Sequence, residues 1–243
     1  MKIHTTLHIG SHHINYCEDY LVTAEPGKGK LLCAVMDGCS MGIDSYFAAT
    51  LTGKILKQVA KELAYKEFAD QTPVAPAVLM KLILQQLFEK LKSIRNQLDL
   101  KRNELLNTLI LAVIDTANKS GEFICIGDGV IHIDGTLYDY DQQNKPDYIG
   151  YHLTEDFENW YANQQQRLSV SVINDFSLVT DGIYTFSKFD HKAYDPPGNI
   201  AEYLLVDGDA NSVENMLHQK MIEIKNNWGL APTDDLAIVR CIL

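Results

Sequence analysis

Three scarcities narrow this chain before any motif is considered. No run approaches the ~20 consecutive apolar residues that a membrane-spanning helix needs, and the opening MKIHTTLHIGSHH lacks the apolar stretch of a secretory signal. A cytoplasmic protein is expected. Cysteine is sparse: Cys17, Cys33, Cys39, Cys125 and Cys241 are odd in number and form no CxxC pair, which excludes a disulfide framework and a structural zinc ribbon and leaves reduced core thiols. Basic charge is in deficit, with 21 Lys and Arg against 32 Asp and Glu and a net charge of −11. That balance disfavours a nucleic-acid backbone or an anionic membrane as partner.

What is present is an ordinary globular composition, 46% hydrophobic and 22% charged, in a length that suits one domain spanning 1–243. Near-continuous apolar runs rich in β-branched residues predict strands at 31–36, 108–114, 123–126, 176–180 and 236–243. Continuity rather than alternation means that both faces of these strands are covered. Between the first two lie helical stripes: Ile43, Phe47, Leu51, Ile55, Val59 and Leu63, then Leu79, Leu82, Ile83, Leu87, Leu91, Ile94 and Leu98, with Pro73 and Pro76 at the start of the second. A third helix is expected around Val213 to Ile224. This order is not a regular β-α alternation, so the fold class is α+β, with helices outside a β-sandwich. The polar, aromatic, turn-rich stretch 139–166 reads as a surface insertion.

Carboxylates recur where strands end. Asp37-Gly38 follows LLCAVM, Asp181-Gly182 follows FSLVT, Asp234-Asp235 precedes LAIVRCIL, Asp128 sits in CIGDG, and Glu18-Asp19 follows HINYC. Any one of them is most simply a turn or a solvated pair. Together, strand ends from distant parts of the chain can gather on one sheet edge into a set of hard oxygen ligands suited to Mg²⁺ or Mn²⁺.

At these residues the chain resembles the type 2C metal-dependent protein phosphatases. AVMDGCSMG resembles their Asp-Gly motif, NTLILAVI a small-polar-Thr-Leu strand, CIGDGVIHIDG their Gly-Asp strand and turn, LVTDGIYTF their Thr-Asp-Gly motif, and TDDLAIVRCIL their closing strand. The resemblance implies a four-layer α-β-β-α sandwich, two antiparallel sheets flanked by helices. It also implies hydrolysis of phosphorylated Ser/Thr in a protein substrate with two divalent cations, Mn²⁺ or Mg²⁺, and a weaker third. On that reading Asp37 bridges the two cations, the Gly38 carbonyl joins one, and Asp181 and Asp234 complete the other. Glu18 holds a metal-bound water, supported by Asp19, and Asp128 belongs to the third position. Two shared cations acidify a water and neutralise the phosphoryl oxygens it attacks, so no side-chain nucleophile is needed.

Rival chemistries are poorly served. Cys39 is followed by no arginine that would cradle a phosphate for a cysteine nucleophile, and Asp37 lacks the acid two residues on that a phosphoaspartate enzyme uses. The chain departs from the family pattern where Ile14 stands at the place of a phosphate-binding arginine and Cys39 at that of a histidine. His12 and His13 lie near enough to substitute as phosphate donors, although histidines so close to the N-terminus, here with His8, are expected to be exposed. A catalytically silent phosphatase-like module that binds a partner shares the fold, and a phosphoesterase acting on small molecules shares the chemistry.

Overall fold

The computed structural model describes residues 1–142, 145–189, 198–208, 213 and 215–243. Among these, two five-stranded antiparallel sheets lie face to face. The first runs β2 (Tyr20–Gly27), β3 (Lys30–Met36), β4 (Leu109–Asp115), β5 (Ser120–Ile126), β8 (Arg167–Val170). The second runs β1 (Lys2–His8), β12 (Leu236–Ile242), β9 (Asp175–Val179), β6 (Gly129–Ile133), β7 (Thr136–Tyr140). A small ribbon pairs β10 (Phe186–Lys188) with β11 (Leu230–Pro232). Helices α1 (Ser45–Asp70) and α2 (Pro76–Leu98) cover the first sheet, and α5 (Ile200–Leu205) and α6 (Met216–Trp228) the second. This is the α+β, four-layer α-β-β-α sandwich that the sequence implied.

The layering explains why the central strands read as unbroken apolar runs. Side chains alternate across a strand, and here each side meets a different core. In β3, Leu32, Ala34 and Met36 join α1 and α2, whereas Leu31, Cys33 and Val35 face the opposite sheet, where they meet Ile131, Leu178, Ala237 and Val239. In β12, Leu236 and Ile238 turn outward to α6. Cys33, Cys125 and Cys241 fill the layer between the sheets as free thiols.

Element limits differ from the periodicity in two places. The first helix begins at Ser45 rather than Ile43, because Asp44 adopts the left-handed region (φ 50°) and Ile43 sits exposed before it. The third begins at Met216 for the same reason, with Asn215 at φ 62°. Pro76 occupies the first turn of α2, where its missing N–H costs nothing. Within 139–166 lie α3 (Ile149–His152) and α4 (Phe157–Ala162), whose Ile149, Trp160 and Tyr161, with Leu153 between the helices, are buried in the same core as α1 and α2.

On the outer face of β12, the fully buried Arg240 donates to Asp175 from Nε (3.1 Å) and Nη2 (2.6 Å), and to the carbonyls of Leu204 in α5 and of Val206 and Asp207 just after it. Removing one partner strands the other's charge. Asp175→Ala is therefore expected to destabilise the fold by about 3 kcal/mol, read as a lower urea midpoint at unchanged m-value; a loss below about 1 kcal/mol would mean that the three carbonyls alone satisfy the guanidinium.

Candidate metal centre

Antiparallel pairing brings distant segments to one end of the sandwich. The end of β9 adjoins the start of β12, locked by Thr180, whose N–H donates to the Ala237 carbonyl (3.2 Å) and whose Oγ1 accepts from Ala237 N–H (2.9 Å). The end of β3 adjoins the residues before β4, where Thr108 N–H donates to the Asp37 carbonyl (2.8 Å) and Asp37 N–H to Thr108 Oγ1 (3.2 Å). The turn between β5 and β6 carries Asp128 between Gly127 (φ 98°) and Gly129 (φ 126°), positions that favour glycine.

The outcome is that carboxylate oxygens of Asp37, Asp128 and Asp181 lie within 4.8 Å of one another. Asp19 is buried near Asp37 and accepts from Thr180 Oγ1 at 2.6 Å. Two buried carboxylates side by side repel one another when both are charged, which disfavours full ionisation of the pair in the metal-free chain. Asp234 stands at the rim, its side chain 46% exposed, with Oδ1 3.8 Å from His13 Nε2. Glu18 accepts from Ser45 Oγ at 2.5 Å through Oε1. Gly38 donates its N–H to the Glu18 carbonyl (3.2 Å); a Cβ there would lie 2.3 Å from the Ser45 carbonyl, so only glycine permits this approach.

Crowding shifts the titration of these acids upward. Burial first, then the charges of Asp19 and Asp181, pushes Asp37 well above the usual carboxylate range. Asp181 rises to about 6 through burial, Asp128 and Asp234, and Asp128 rises chiefly through burial. Asp128 Oδ1 and Glu18 Oε2 are buried with no hydrogen-bond donor. Buried oxygens without donors, among carboxylates that repel one another, form a donor set that suits a hard divalent cation.

Several residues take places at the site that the sequence did not assign to them. Asp235, beside Asp234, is buried and accepts from Gly10 N–H (2.7 Å) and Glu18 N–H (2.5 Å), tying the N-terminal loop to β12. Tyr148, from the stretch 139–166, is buried at the site, and burial, the neighbouring Cys39 and the charges of Asp37 and Asp128 hold its hydroxyl well above the ordinary tyrosine range. His12 and Ile14 are exposed, Ile14 by 90%, but His13, also expected at the surface, turns inward: its Nδ1 lies 2.9 Å from Asp235 Oδ2.

A sequence profile described as protein phosphatase 2C matches residues 9–218. No curated protein matches the sequence. Similar solved structures include the serine/threonine phosphatase Stp1 from Staphylococcus aureus, 12% identical with a TM-score of 0.62 over 100% of this chain and 94% of that one. The S. agalactiae serine/threonine phosphatase is 15% identical with a TM-score of 0.61 over 98% of both chains. RsbX, in complex with magnesium, is 12% identical with a TM-score of 0.53 over 98% and 94%. At such identities the structural likeness is one of fold; the profile spans most of the sequence, and by it the chain belongs to the protein phosphatase 2C family.

Proposed function

We propose that this protein is a cytoplasmic, metal-dependent phosphoprotein phosphatase that hydrolyses phosphoserine or phosphothreonine, with Mn²⁺ or Mg²⁺ held by Asp37, Gly38, Asp128, Asp181 and Asp234. The observation that carries the reading is the convergence of Asp37, Asp128 and Asp181 around a buried carboxylate oxygen that no donor satisfies, in a chain of a phosphatase family. Magnesium in the similarly folded RsbX points to the same class of ion. Among the described residues no helix is long and apolar enough to cross a membrane.

When bound, such cations acidify water and neutralise phosphoryl charge. The chain's own part is preorganisation. Thr180 orients Asp19, Ser45 orients Glu18, and Asp235 fixes the backbone N–H of Glu18. Asp37 would be the central ligand of the cations, and Glu18, supported by Asp19, would hold the water that they acidify, a positioning that lowers the barrier without a covalent intermediate.

The direct test is hydrolysis of an aryl phosphate and of phosphoserine peptides in Mn²⁺, in Mg²⁺ and in EDTA. The expected result is turnover of both substrates in metal, with EDTA reducing it at least a hundredfold. Turnover of the aryl phosphate alone would favour a small-molecule phosphoesterase. No turnover with either metal would leave the silent binding module.

A further inference from the structure

We propose that two copies of this chain pair through β1, antiparallel about a twofold axis at Thr5, so that the second sheet runs on from one copy into the other. The inference stands apart from the phosphatase reading and holds equally for a silent module of the same fold.

The first ground is an edge left open. β1 ends its sheet, and among the described residues no strand pairs with its outer side. Such an edge offers unpaired N–H and C=O groups to any extended chain, and proteins usually blunt it with a bulge, a proline, a charge or brevity. The other edges of the two sheets are blunted in these ways. β2 breaks register between Ala24 and Gly27, where Glu25 is exposed and Pro26 follows. β7 is five residues long with Asp139 exposed, and β8 has four beginning at Arg167. β1 runs seven residues in unbroken register with β12, holds no proline and no acid, and has its one permanent charge, Lys2, at the end.

The second ground is an overhang. Residues opposite one another in an antiparallel pair point to the same face, so Ile3, Thr5 and Leu7, which oppose Cys241, Val239 and Ala237, belong to the layer between the sheets. Those three β12 side chains are wholly buried, whereas Ile3 is 36% exposed, Leu7 45% and, just past the strand, Ile9 39%. β1 therefore projects past the cover of the opposite sheet and leaves an apolar row in water beside an open backbone edge.

The order of residues in that row selects the occupant. Pairing about Thr5 uses the strand from Lys2 to His8 in full, sets Ile3 opposite Leu7 of the second copy on the exposed face, and brings the two Thr5 side chains together at the axis. On the other face His4 meets Thr6 and Lys2 meets His8, so lysine never faces lysine. One patch thus complements itself, as an isologous contact requires. A slip of one residue would put Ile3 against Thr6 or His8 and Leu7 against Lys2 or His4. Charge agrees with the choice: a net −11 sets two copies against each other in general, yet none of the 32 Asp and Glu lies in residues 1–17, so the segment at the axis brings no carboxylate to the contact. One strand pair buries less than a standard interface, under about 1,200 Å², so the dimer is weak, with a dissociation constant of about 10–100 μM.

Sedimentation of the intact chain from about 1 μM to about 1 mM, a span that brackets such a constant, is expected to show an average mass rising from one chain towards two. Leu7→Lys, which puts a charge on the apolar row of both copies, should move the midpoint about tenfold higher in concentration. Thr5→Cys reads the register: facing Cα atoms in an antiparallel pair lie about 4.5–5.5 Å apart, within disulfide reach, so mild oxidation should link this variant to itself. The two Ile3 positions are about 13 Å out of step along the strands, so Ile3→Cys alone should stay unlinked and should link when mixed with Leu7→Cys. Wild type treated alike gives the background of the five native cysteines. A wild type that stays one chain throughout overturns the proposal. So does Thr5→Cys linking no more than wild type, even if the chain dimerises through another surface, or Ile3→Cys linking to itself as readily as Thr5→Cys. Should Leu7→Lys fail to fold, wild-type sedimentation and the Thr5 and Ile3 variants decide. Hydrolysis is not among the readouts, so failure here and failure of the phosphatase reading are separate results.

Discussion

Asp37→Asn is expected to lower kcat by about a thousandfold or more while raising the thermal midpoint of the metal-free protein by a few degrees. The first effect follows from position. Asp37 directly follows β3 in the acidic set, with carboxylates of Asp128 and Asp181 within 4.8 Å and the charge of Asp19 nearby, so a neutral amide there weakens every cation bound beside it. A loss of about 4 kcal/mol in transition-state stabilisation, the scale of an electrostatic contribution from such a site, corresponds to roughly a thousandfold. The second effect has the opposite sign. Burial and neighbouring charges raise the Asp37 pKa well above its unfolded value, so near neutral pH the empty site either holds a costly anion or must retain a proton. An amide avoids both. Relief of about 1–2 kcal/mol corresponds to about 3–6 °C at this chain length. Activity within tenfold of wild type in saturating Mn²⁺ would remove Asp37 from the centre of the mechanism. A lower midpoint in EDTA would instead show that the carboxylate stabilises the empty fold.

The parts of this molecule that the sequence made legible are those governed by short-range rules. The stripes of α1 and α2 and the apolar runs of β3, β4 and β12 are local patterns, and the fold's two-sided cores account for the continuity of those runs. The aspartates could be nominated because Asp-Gly at a strand end is also local. What stayed hidden depends on pairing between distant segments. Edge strand β1 reads KIHTTLH, too polar to announce itself, and becomes a strand by pairing with β12 from the other end of the chain. His13 turns inward toward Asp235, from the other end of the chain, and Tyr148 enters the site beside Cys39, more than a hundred residues away in sequence. The distinct placement of the neighbours Asp234 and Asp235, one at the rim and one buried, is set by Gly10 and Glu18. Nothing in the dipeptide distinguishes them.

Divalent cations are expected to raise the thermal midpoint strongly at pH 8 and little at pH 5. Asp181 is raised to about 6 and Asp19 to about 8, in both cases chiefly by burial, and Asp37 lies higher than the usual range. For an acid whose folded pKa exceeds its unfolded one, the folded state binds more protons between the two values. The metal-free chain therefore loses stability as pH rises from about 4 to about 8. His152, held between Asp147 (2.8 Å) and Glu155 (2.9 Å) and raised mainly by the bond to Asp147, contributes in the same direction, its share being lost as pH climbs through its folded value. A cation takes the place of the bound protons, so its binding releases them and tightens with pH. At a free concentration about a hundred times the dissociation constant the stabilisation is about 2.7 kcal/mol, or about 5–10 °C here. At pH 5 the protons compete and the increment should fall severalfold. Melting curves at pH 5, 6.5 and 8 with EDTA, Mg²⁺ or Mn²⁺ measure both slopes, and His152→Asn subtracts the histidine's share. Asp181→Asn should flatten the metal-free decline and shrink the cation increment together, since both arise from one set of carboxylates. A metal-free midpoint that climbs from pH 5 to pH 8, or a cation increment indifferent to pH, would show that these acids are not held protonated by the fold.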